Sequence, residues 1–355
     1  MTTLLAGDIG GTKTLLATYR LQAGRLELLR RQRYPSGAWA DLAAMVAHFL
    51  AIEPDQEPPR HGCLAVAGPV VDGQVKVTNL PWRLDQHHLA AACGLEVLEL
   101  VNDFAVLIYG LPHLAADQQQ PLRPDAPPPA IDSPQLAPLA VLGAGTGLGA
   151  AIGVPGPSGL VALASEAAHA EFAPRNEAEW RLKQWLLSAL GLERVSVERV
   201  ASGTGLGHLS RWLLEEQDPA AAHPLAAPAR LWSEAEAEGL PDRPDLPALM
   251  AAAALQGDPL ASEALQLWLG AYGSAAGDFA LQCLCRGGLW LGGGTAPKLL
   301  HQLRSPVFLE AFGAKGRLSP LLEAIPLQAI IDPDVGLFSA ACRARMLLEA
   351  APASA

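Results

Sequence analysis

Two glycine-rich segments carry the first chemical signal: Gly7-Asp8-Ile9-Gly10-Gly11-Thr12-Lys13 and Gly143-Ala144-Gly145-Thr146-Gly147-Leu148-Gly149 each follow a short apolar run and lead into further β-type sequence. Glycine leaves room for successive backbone N–H groups to converge on one anion, and the hydroxyls of Thr12 and Thr146 add donors, so each segment reads as a phosphate-holding turn. Two such turns facing each other would grip a triphosphate from opposite sides, which implies a cleft between two halves of the chain. For the first, a P-loop is the alternative that fits less well. Thr12 stands where that pattern wants glycine, and Thr14-Leu15-Leu16-Ala17-Thr18-Tyr19-Arg20, the turn Gln22-Ala23-Gly24 and Leu26-Glu27-Leu28-Leu29 predict a three-strand meander instead of a helix. The second fits G-x-G-x-x-A with Glu166 at ribose-binding spacing, yet Pro155-Gly156-Pro157 blocks the helix that a dinucleotide site needs and predicts strand, turn, strand. Ordinary hairpin glycine is the plain alternative for either turn taken alone.

These turns must be positioned by a sizeable scaffold. The chain has 355 residues, half of them hydrophobic, enough for two domains each with its own core. Its net charge of −11 repels a nucleic-acid backbone, and no basic patch offsets it. No run is long enough to cross a bilayer, and the start of the chain enters a strand with no secretory signal pattern, so no membrane association and a cytoplasmic location are expected. Cys63, Cys93, Cys283, Cys285 and Cys342 form an odd set. The Cys283-x-Cys285 pair has no second pair at ligand spacing, so buried thiols are predicted, with no structural metal and no disulfide.

Helical spacing predicts a helix over 39–50, followed by a strand at 63–67, a hairpin through Val71-Asp72-Gly73, a helix over 86–93 and a strand over 96–101. Segment 117–138 holds seven prolines and three consecutive glutamines and reads as a long surface loop unable to sustain a regular element. A second polar, proline-rich stretch spans 215–247. A long alanine-rich helix is predicted over 260–284, with Asp258 as N-cap and Pro259 as first helical residue. Leu289-Trp290-Leu291 then runs into Gly292, Gly293 and Gly294, and a helix opens at Thr295. Three glycines let a flat ring approach the backbone closely; a strand-to-helix turn needing positive φ explains them equally well.

Asp8-Ile9-Gly10-Gly11-Thr12-Lys13, Val101-Asn102-Asp103-Phe104, the segment 143–149, Ser165-Glu166-Ala167-Ala168-His169, and Ser196-Val197-Glu198-Arg199-Val200 with Ser202-Gly203 stand in the order seen in bacterial ATP-dependent glucokinases. His169-Ala170-Glu171-Phe172-Ala173-Pro174, Leu289-Trp290-Leu291-Gly292-Gly293-Gly294 and Asp332-Pro333-Asp334-Val335-Gly336-Leu337 resemble the same family, so the resemblance spans nearly the whole chain. It implies an α/β, actin-like (ribonuclease-H-like) two-domain sugar kinase: a small α/β domain, 1–112 plus 334–355, and a larger α+β domain, 113–333, flanking a cleft. It also implies a homodimer with glucose and ATP as its small-molecule partners. The cysteine-rich zinc motif and the helix-turn-helix of related repressor-group proteins are missing from this sequence.

Transfer of a phosphoryl group to a sugar hydroxyl needs an aligned acceptor, charge neutralisation and a proton acceptor. Asp103, where a strand gives way to an apolar helix, reads locally as a helix N-cap; the resemblance makes it the base that takes the proton of the sugar 6-hydroxyl. The resemblance places Asn102, Asp103, Glu166, His169 and Glu198 at sugar-binding positions, where carboxylate, amide and imidazole suit a ring of hydroxyls. Taken alone, Glu198 is a solvated helix-start residue, His169 a core histidine bonded to backbone, and Glu166 with His169 a metal pair without further ligands. Where the family carries two glycines, this chain has Ala167 and Ala168, which would strain the turn if either needs positive φ. Gly10, Gly11, Thr12 and Lys13, with Gly145, Thr146 and Gly147, fall at the phosphate positions, although Lys13 equally covers a strand end. Gly292, Gly293 and Gly294 fall near adenine, and Asp8 is the partner of Mg2+, reached through water. A kinase of another hexose, a polyphosphate-dependent kinase and a non-catalytic sugar sensor share these features; a nicotinamide-dependent oxidoreductase is a distant alternative.

Overall fold

A computed structural model describes residues 2–52, 57–77, 80–124, 128–129, 137–157, 159–218, 220–240 and 243–350. The chain opens with the meander β1 (Thr2–Ile9), β2 (Lys13–Gln22) and β3 (Arg25–Pro35). Helix α1 (Leu42–Ala51) follows, capped by Asp41, whose carboxylate accepts from Ala44 N at 2.7 Å. The predicted helix thus starts three residues late, because Trp39 precedes the cap and stacks edge-on against Tyr34. Strand β4 (His61–Val66), the hairpin β5 (Gln74–Lys76) and β6 (Arg83–Asp85), helix α2 (Gln86–Ala92) and β7 (Val97–Asn102) complete the first half. The five-stranded sheet runs β3-β2-β1-β4-β7, with β1, β4 and β7 parallel.

The second sheet runs β11-β10-β9-β12-β13-β8, from β8 (Gln119–Pro121), β9 (Leu139–Ala144), β10 (Leu148–Gly156), β11 (Gly159–Ser165), β12 (Gly288–Gly292) and β13 (Leu327–Ile330). Strand, tight turn, strand follows the second glycine segment, as Pro155 and Pro157 dictate. Strand β8 corrects the reading of 117–138 as unable to hold a regular element. The glutamines in and just before it find fixed partners: Gln119 Oε1 accepts from the buried Trp290 Nε1 at 2.8 Å, and Gln118 Nε2 donates to Asp332 at 2.6 Å. It lies at the sheet edge, where a terminal Pro121 is tolerated. Elsewhere in 117–138 the described residues carry no helix or strand, and 125–127 and 130–136 lie outside the described residues.

Helices α3 (Leu107–Gly110), α4 (Glu177–Ala189), α5 (Glu198–Ala201), α6 (Gly203–Gln217), α7 (Ala226–Glu238), α8 (Leu246–Leu255), α9 (Pro259–Cys283) and α10 (Thr295–Lys298) surround the sheets. The Asp258 carboxylate caps α9 through Ala261 N at 2.8 Å. Strand alternation divides the core. Leu5, Ile9, Leu64, Val66, Leu98 and Leu100 face α1 and α2. Leu4, Ala6, Cys63, Ala65 and Val101 face the other way, onto the C-terminal helix Val335–Ala350 and α3, in a core shared with Val141, Ala151, Trp290 and Ile330 of the second sheet, against whose strands β9, β10 and β11 α3 packs. Opposite residues of that sheet, Ala140, Leu142, Leu289 and Leu291, join the helices α4 to α9. The C-terminal helix is bound to the first sheet by Arg343 Nε to Glu99 Oε2 at 2.7 Å and approaches α3 so closely that Gly110 has no room for a side chain beside Ser339.

Candidate active site

Strand register brings two acids together. Ile9 of β1, Val66 of β4 and Asn102 of β7 lie level across the parallel strands, so Asp8 precedes and Asp103 follows that line at the carboxyl edge of the sheet. Ile9 packs towards α1, so the alternation turns Asp8 to the face that meets the second sheet, and Asp103 shares the parity of Val101 on that face. Burial pushes the Asp103 carboxyl up to about 6, and the charge of Asp8 pushes in the same direction. Burial also raises Asp8, partly offset by the Lys13 ammonium. Asp103 Oδ1 accepts from Asn102 Nδ2 at 2.9 Å and from Phe104 N at 3.1 Å. The helix-entry cap is made by Asn102: its Oδ1 accepts from Phe104 N at 3.0 Å and Ala105 N at 3.1 Å, and its Nδ2 also donates to Gly68 O at 3.2 Å. Both amide hydrogens and both acceptor sites of Asn102 are therefore taken within the turn in this conformation.

The first glycine turn, Gly10, Gly11 and Thr12 between β1 and β2, is closed by Gly10 N to Lys13 O at 3.0 Å, with Lys13 exposed. Buried Ser36 pins it from below, donating to Gly10 O at 2.8 Å, while Ser36 N donates to Thr12 O at 3.0 Å. Neither Gly10 nor Gly11 takes positive φ.

In the second segment the glycines divide their work. Gly143 and Gly149 face each other across β9 and β10, and a methyl group on either would overlap the ring of Phe104. The residue after Asp103 is thereby seated on the opposite sheet. Gly145, Thr146 and Gly147 form the turn itself, with Gly145 N donating to Gly147 O at 2.9 Å. Gly145 faces open space, whereas an added Cβ at Gly147 would lie 2.6 Å from Glu198 Oε2, the same oxygen that accepts from Leu148 N at 2.9 Å. Thr204 Oγ1 donates to Thr146 O at 2.8 Å and fixes the turn on the start of α6.

Glu166 and His169 flank a single 3-10 turn, with His169 Nε2 3.6 Å from Glu166 Oε2 and both side chains largely exposed. Ala167 and Ala168 adopt no positive φ, so alanine stands here without backbone strain. His169, Ser196 and Glu198 share a cavity of about 420 Å³. The segments that carry His169 and Glu198 are zipped together by Phe172 N to Val195 O at 2.8 Å and Val197 N to Ala170 O at 2.9 Å, and Arg194 donates to His169 O at 2.9 Å.

Gly292, Gly293 and Gly294 leave β12 beside the second turn, since Gly292 is level with Gly143. Gly293 takes φ +79° and lies against Ala144 O, so positive φ and close approach apply to the same residue. Gly294, Thr295 and Lys298 line a cavity of about 700 Å³ together with Gly145, Thr146 and Thr204. Sequence reasoning missed Ser36, Phe104, Thr204 and Lys298. Phe104 lay inside a quoted motif, and Thr204 adjoined another, but nothing local distinguishes Ser36 or Lys298. No group of three or more His, Cys, Asp or Glu side chains able to hold a metal occurs among the described residues. Asp8 offers a half-buried carboxylate whose charge reaches that of Asp103, a fit for a hydrated divalent ion that would relieve their repulsion.

Two half-buried acids thus stand at the strand ends of one sheet, and Phe104, which follows the second of them, seats against the strands that carry the second glycine turn. The glucokinase family model matches residues 5–347. The chain is 40% identical to a glucokinase of Trichormus variabilis over 98% of this chain and all of that protein. The crystal structure of a glucokinase from an Antarctic psychrotroph superposes with a TM-score of 0.78 at 28% identity, covering 97% of this chain and 99% of that one. A glucokinase of the ROK family from Streptomyces griseus, solved in complex with glucose and AMPPNP, shares the fold at a TM-score of 0.56 and 20% identity, covering 97% and 99%. The fold is that of the actin-like sugar kinases, and the chain belongs to the glucokinase family.

Proposed function

We propose that this protein transfers the terminal phosphoryl group of ATP to the 6-hydroxyl of D-glucose, with Asp103 as general base. The observation that carries the reading is the Asp103 carboxyl, raised to about 6 beside Asp8 at the carboxyl edge of a parallel sheet. At pH 7 such a group is mostly ionised yet more basic than an ordinary carboxylate, the compromise that proton abstraction favours. Asn102 and Phe104 N saturate Oδ1, which leaves Oδ2 to accept from the sugar hydroxyl. Asn102 holds Asp103, and it meets the sugar by giving up its bond to Gly68 O. Glu166, His169 and Glu198 bind the remaining sugar hydroxyls.

Gly10, Gly11, Thr12 and Lys13 hold the phosphates from one side, Gly145, Thr146 and Gly147 from the other, and adenine lies near Gly292, Gly293 and Gly294, the last of which lines the 700 Å³ cavity. Asp8 holds magnesium through water; the ion supplies charge neutralisation on the phosphates. With 1–112 plus 334–355 on one side and 113–333 on the other, sugar binding draws the halves together and excludes water as a competing acceptor. Following the family resemblance, the enzyme acts as a homodimer. ATP-dependent phosphorylation measured over a panel of monosaccharides with magnesium tests the reading. Glucose 6-phosphate is the expected product; preference for another hexose, turnover with polyphosphate only, or sugar binding without turnover would each replace it.

A further inference from the structure

The Cys283-x-Cys285 pair has no part in the kinase chemistry, and its geometry is unusual. Cys283 is the last residue of α9, and its thiol donates to Phe279 O at 3.0 Å. Leu284 then enters the left-handed region at φ 47°, ψ 48°, a conformation glycine normally supplies at a helix end, with 49% of its surface exposed. This reversal folds Cys285 back beneath the helix terminus to complete burial, and the next turn is closed by Gly288 N to Cys285 O at 2.9 Å. A tightly turned backbone keeps residues i and i+2 within the Cα separation of ~5.5 Å usual for a disulfide, where an extended segment would carry them apart.

The two thiols differ in a useful way. A hydrogen bond from Cys285 holds the partly exposed Cys283 below the usual thiol range, and the same bond with burial raises Cys285 well above it. Burial raises Cys63, Cys93 and Cys342 instead. Reactivity follows thiolate character and access, which together single out Cys283, with Cys285 adjacent as a resolving thiol.

We propose that Cys283 and Cys285 form a peroxide-sensitive dithiol that closes to an intramolecular disulfide. The Cys283 thiolate, having given up its bond to Phe279 O, attacks one oxygen of a hydroperoxide; the O–O bond breaks, and the departing oxygen leaves as an alcohol or water with one proton. The Cys285 sulfur then attacks the sulfenic sulfur of Cys283, the S–O bond breaks and water leaves with the Cys285 proton. Two thiols are oxidised and one peroxide is reduced.

The full-length reduced protein is treated with hydrogen peroxide, alkylated with N-ethylmaleimide and digested with trypsin. The peptide between Arg230 and Arg286 contains these two cysteines and no other. The expected result is joint loss of both alkylations from that peptide, a mass two hydrogens lower than the dithiol, and recovery with dithiothreitol. In Cys285→Ser, Cys283 stops at a sulfenic acid trapped by dimedone; in Cys283→Ser, Cys285 remains alkylatable after unfolding. Because Cys285→Ser alters a buried site, the wild-type mapping and the partly exposed Cys283→Ser decide the matter if it fails to fold. Retention of both thiols, over-oxidation of Cys283 with Cys285 still free, or oxidation of Cys285 in Cys283→Ser would overturn the proposal.

Discussion

Replacing Asp103 by Asn should stabilise the free enzyme at neutral pH while disabling it. Folding raises the Asp103 carboxyl from 3.8 to about 6, chiefly through burial. Between those values the native state binds more protons than the unfolded chain, so this group lowers stability as pH rises through the window. Well below pH 3.8 the carboxyl is neutral in both states and contributes nothing. Above pH 6 its ionised form costs about 3 kcal/mol, two units at roughly 1.4 kcal/mol each. The substituted amide keeps the Oδ1 acceptor for Phe104 N and Asn102 Nδ2, so little else is lost. Denaturant unfolding of both proteins from about pH 3 to about pH 8, without ligands, should therefore show a difference near zero at the acid end that grows to about 3 kcal/mol in favour of Asp103→Asn and then levels off. In parallel, the wild-type kcat/KM should fall on the acid side with an apparent pKa near 6, and Asp103→Asn should lose roughly 10²–10⁴-fold in kcat while sugar binding persists. A stability difference that does not vary with pH, or an acid limb near 4, would refute the burial argument. Normal turnover with weakened sugar binding would refute the base assignment.

Asp8→Asn should remove one of the two influences that raise Asp103, moving the acid limb of kcat/KM to lower pH, and should raise the magnesium concentration needed for half-maximal turnover; an unmoved limb would show that the two carboxyls do not interact. Gly149→Ala should force the Phe104 ring off its seat, costing about 1–3 kcal/mol in stability and reducing kcat as Asp103 shifts, as thermal unfolding and steady-state assays would detect. Ala167→Gly should lower stability by roughly 0.5–1 kcal/mol, because the native φ is one that alanine adopts freely; a stabilised variant would contradict that backbone assignment.

Features fixed by near neighbours in the chain were legible in the sequence. The meander of β1 to β3, the strand-turn-strand after the second glycine segment and the Asp258–Pro259 opening of α9 depend on turns, caps and periodicity within a few residues. Strand β8 was missed for the opposite reason: Gln119 pairs with Ile330 and accepts from Trp290, and no local rule predicts a strand from three glutamines among prolines. The start of α1 slipped because Trp39 fits the helical period but its ring is held by Tyr34 ahead of the Asp41 cap.

For the candidate site, the sequence by itself supplied residue types: two glycine turns, an aspartate at each of two strand ends, and polar residues suited to hydroxyls. Only the tertiary structure decided what each does. Parallel pairing of β1, β4 and β7 places Asp103 where burial raises its carboxyl and sets Asp8 near enough for its charge to add to the rise, effects that depend on residues far apart in the chain. Packing of the two sheets assigns Gly143 and Gly149 to Phe104 and Gly147 to Glu198, leaving Gly145 facing open space. Local preferences act over one turn, whereas burial and like-charge repulsion exist only once distant strands have been brought into contact.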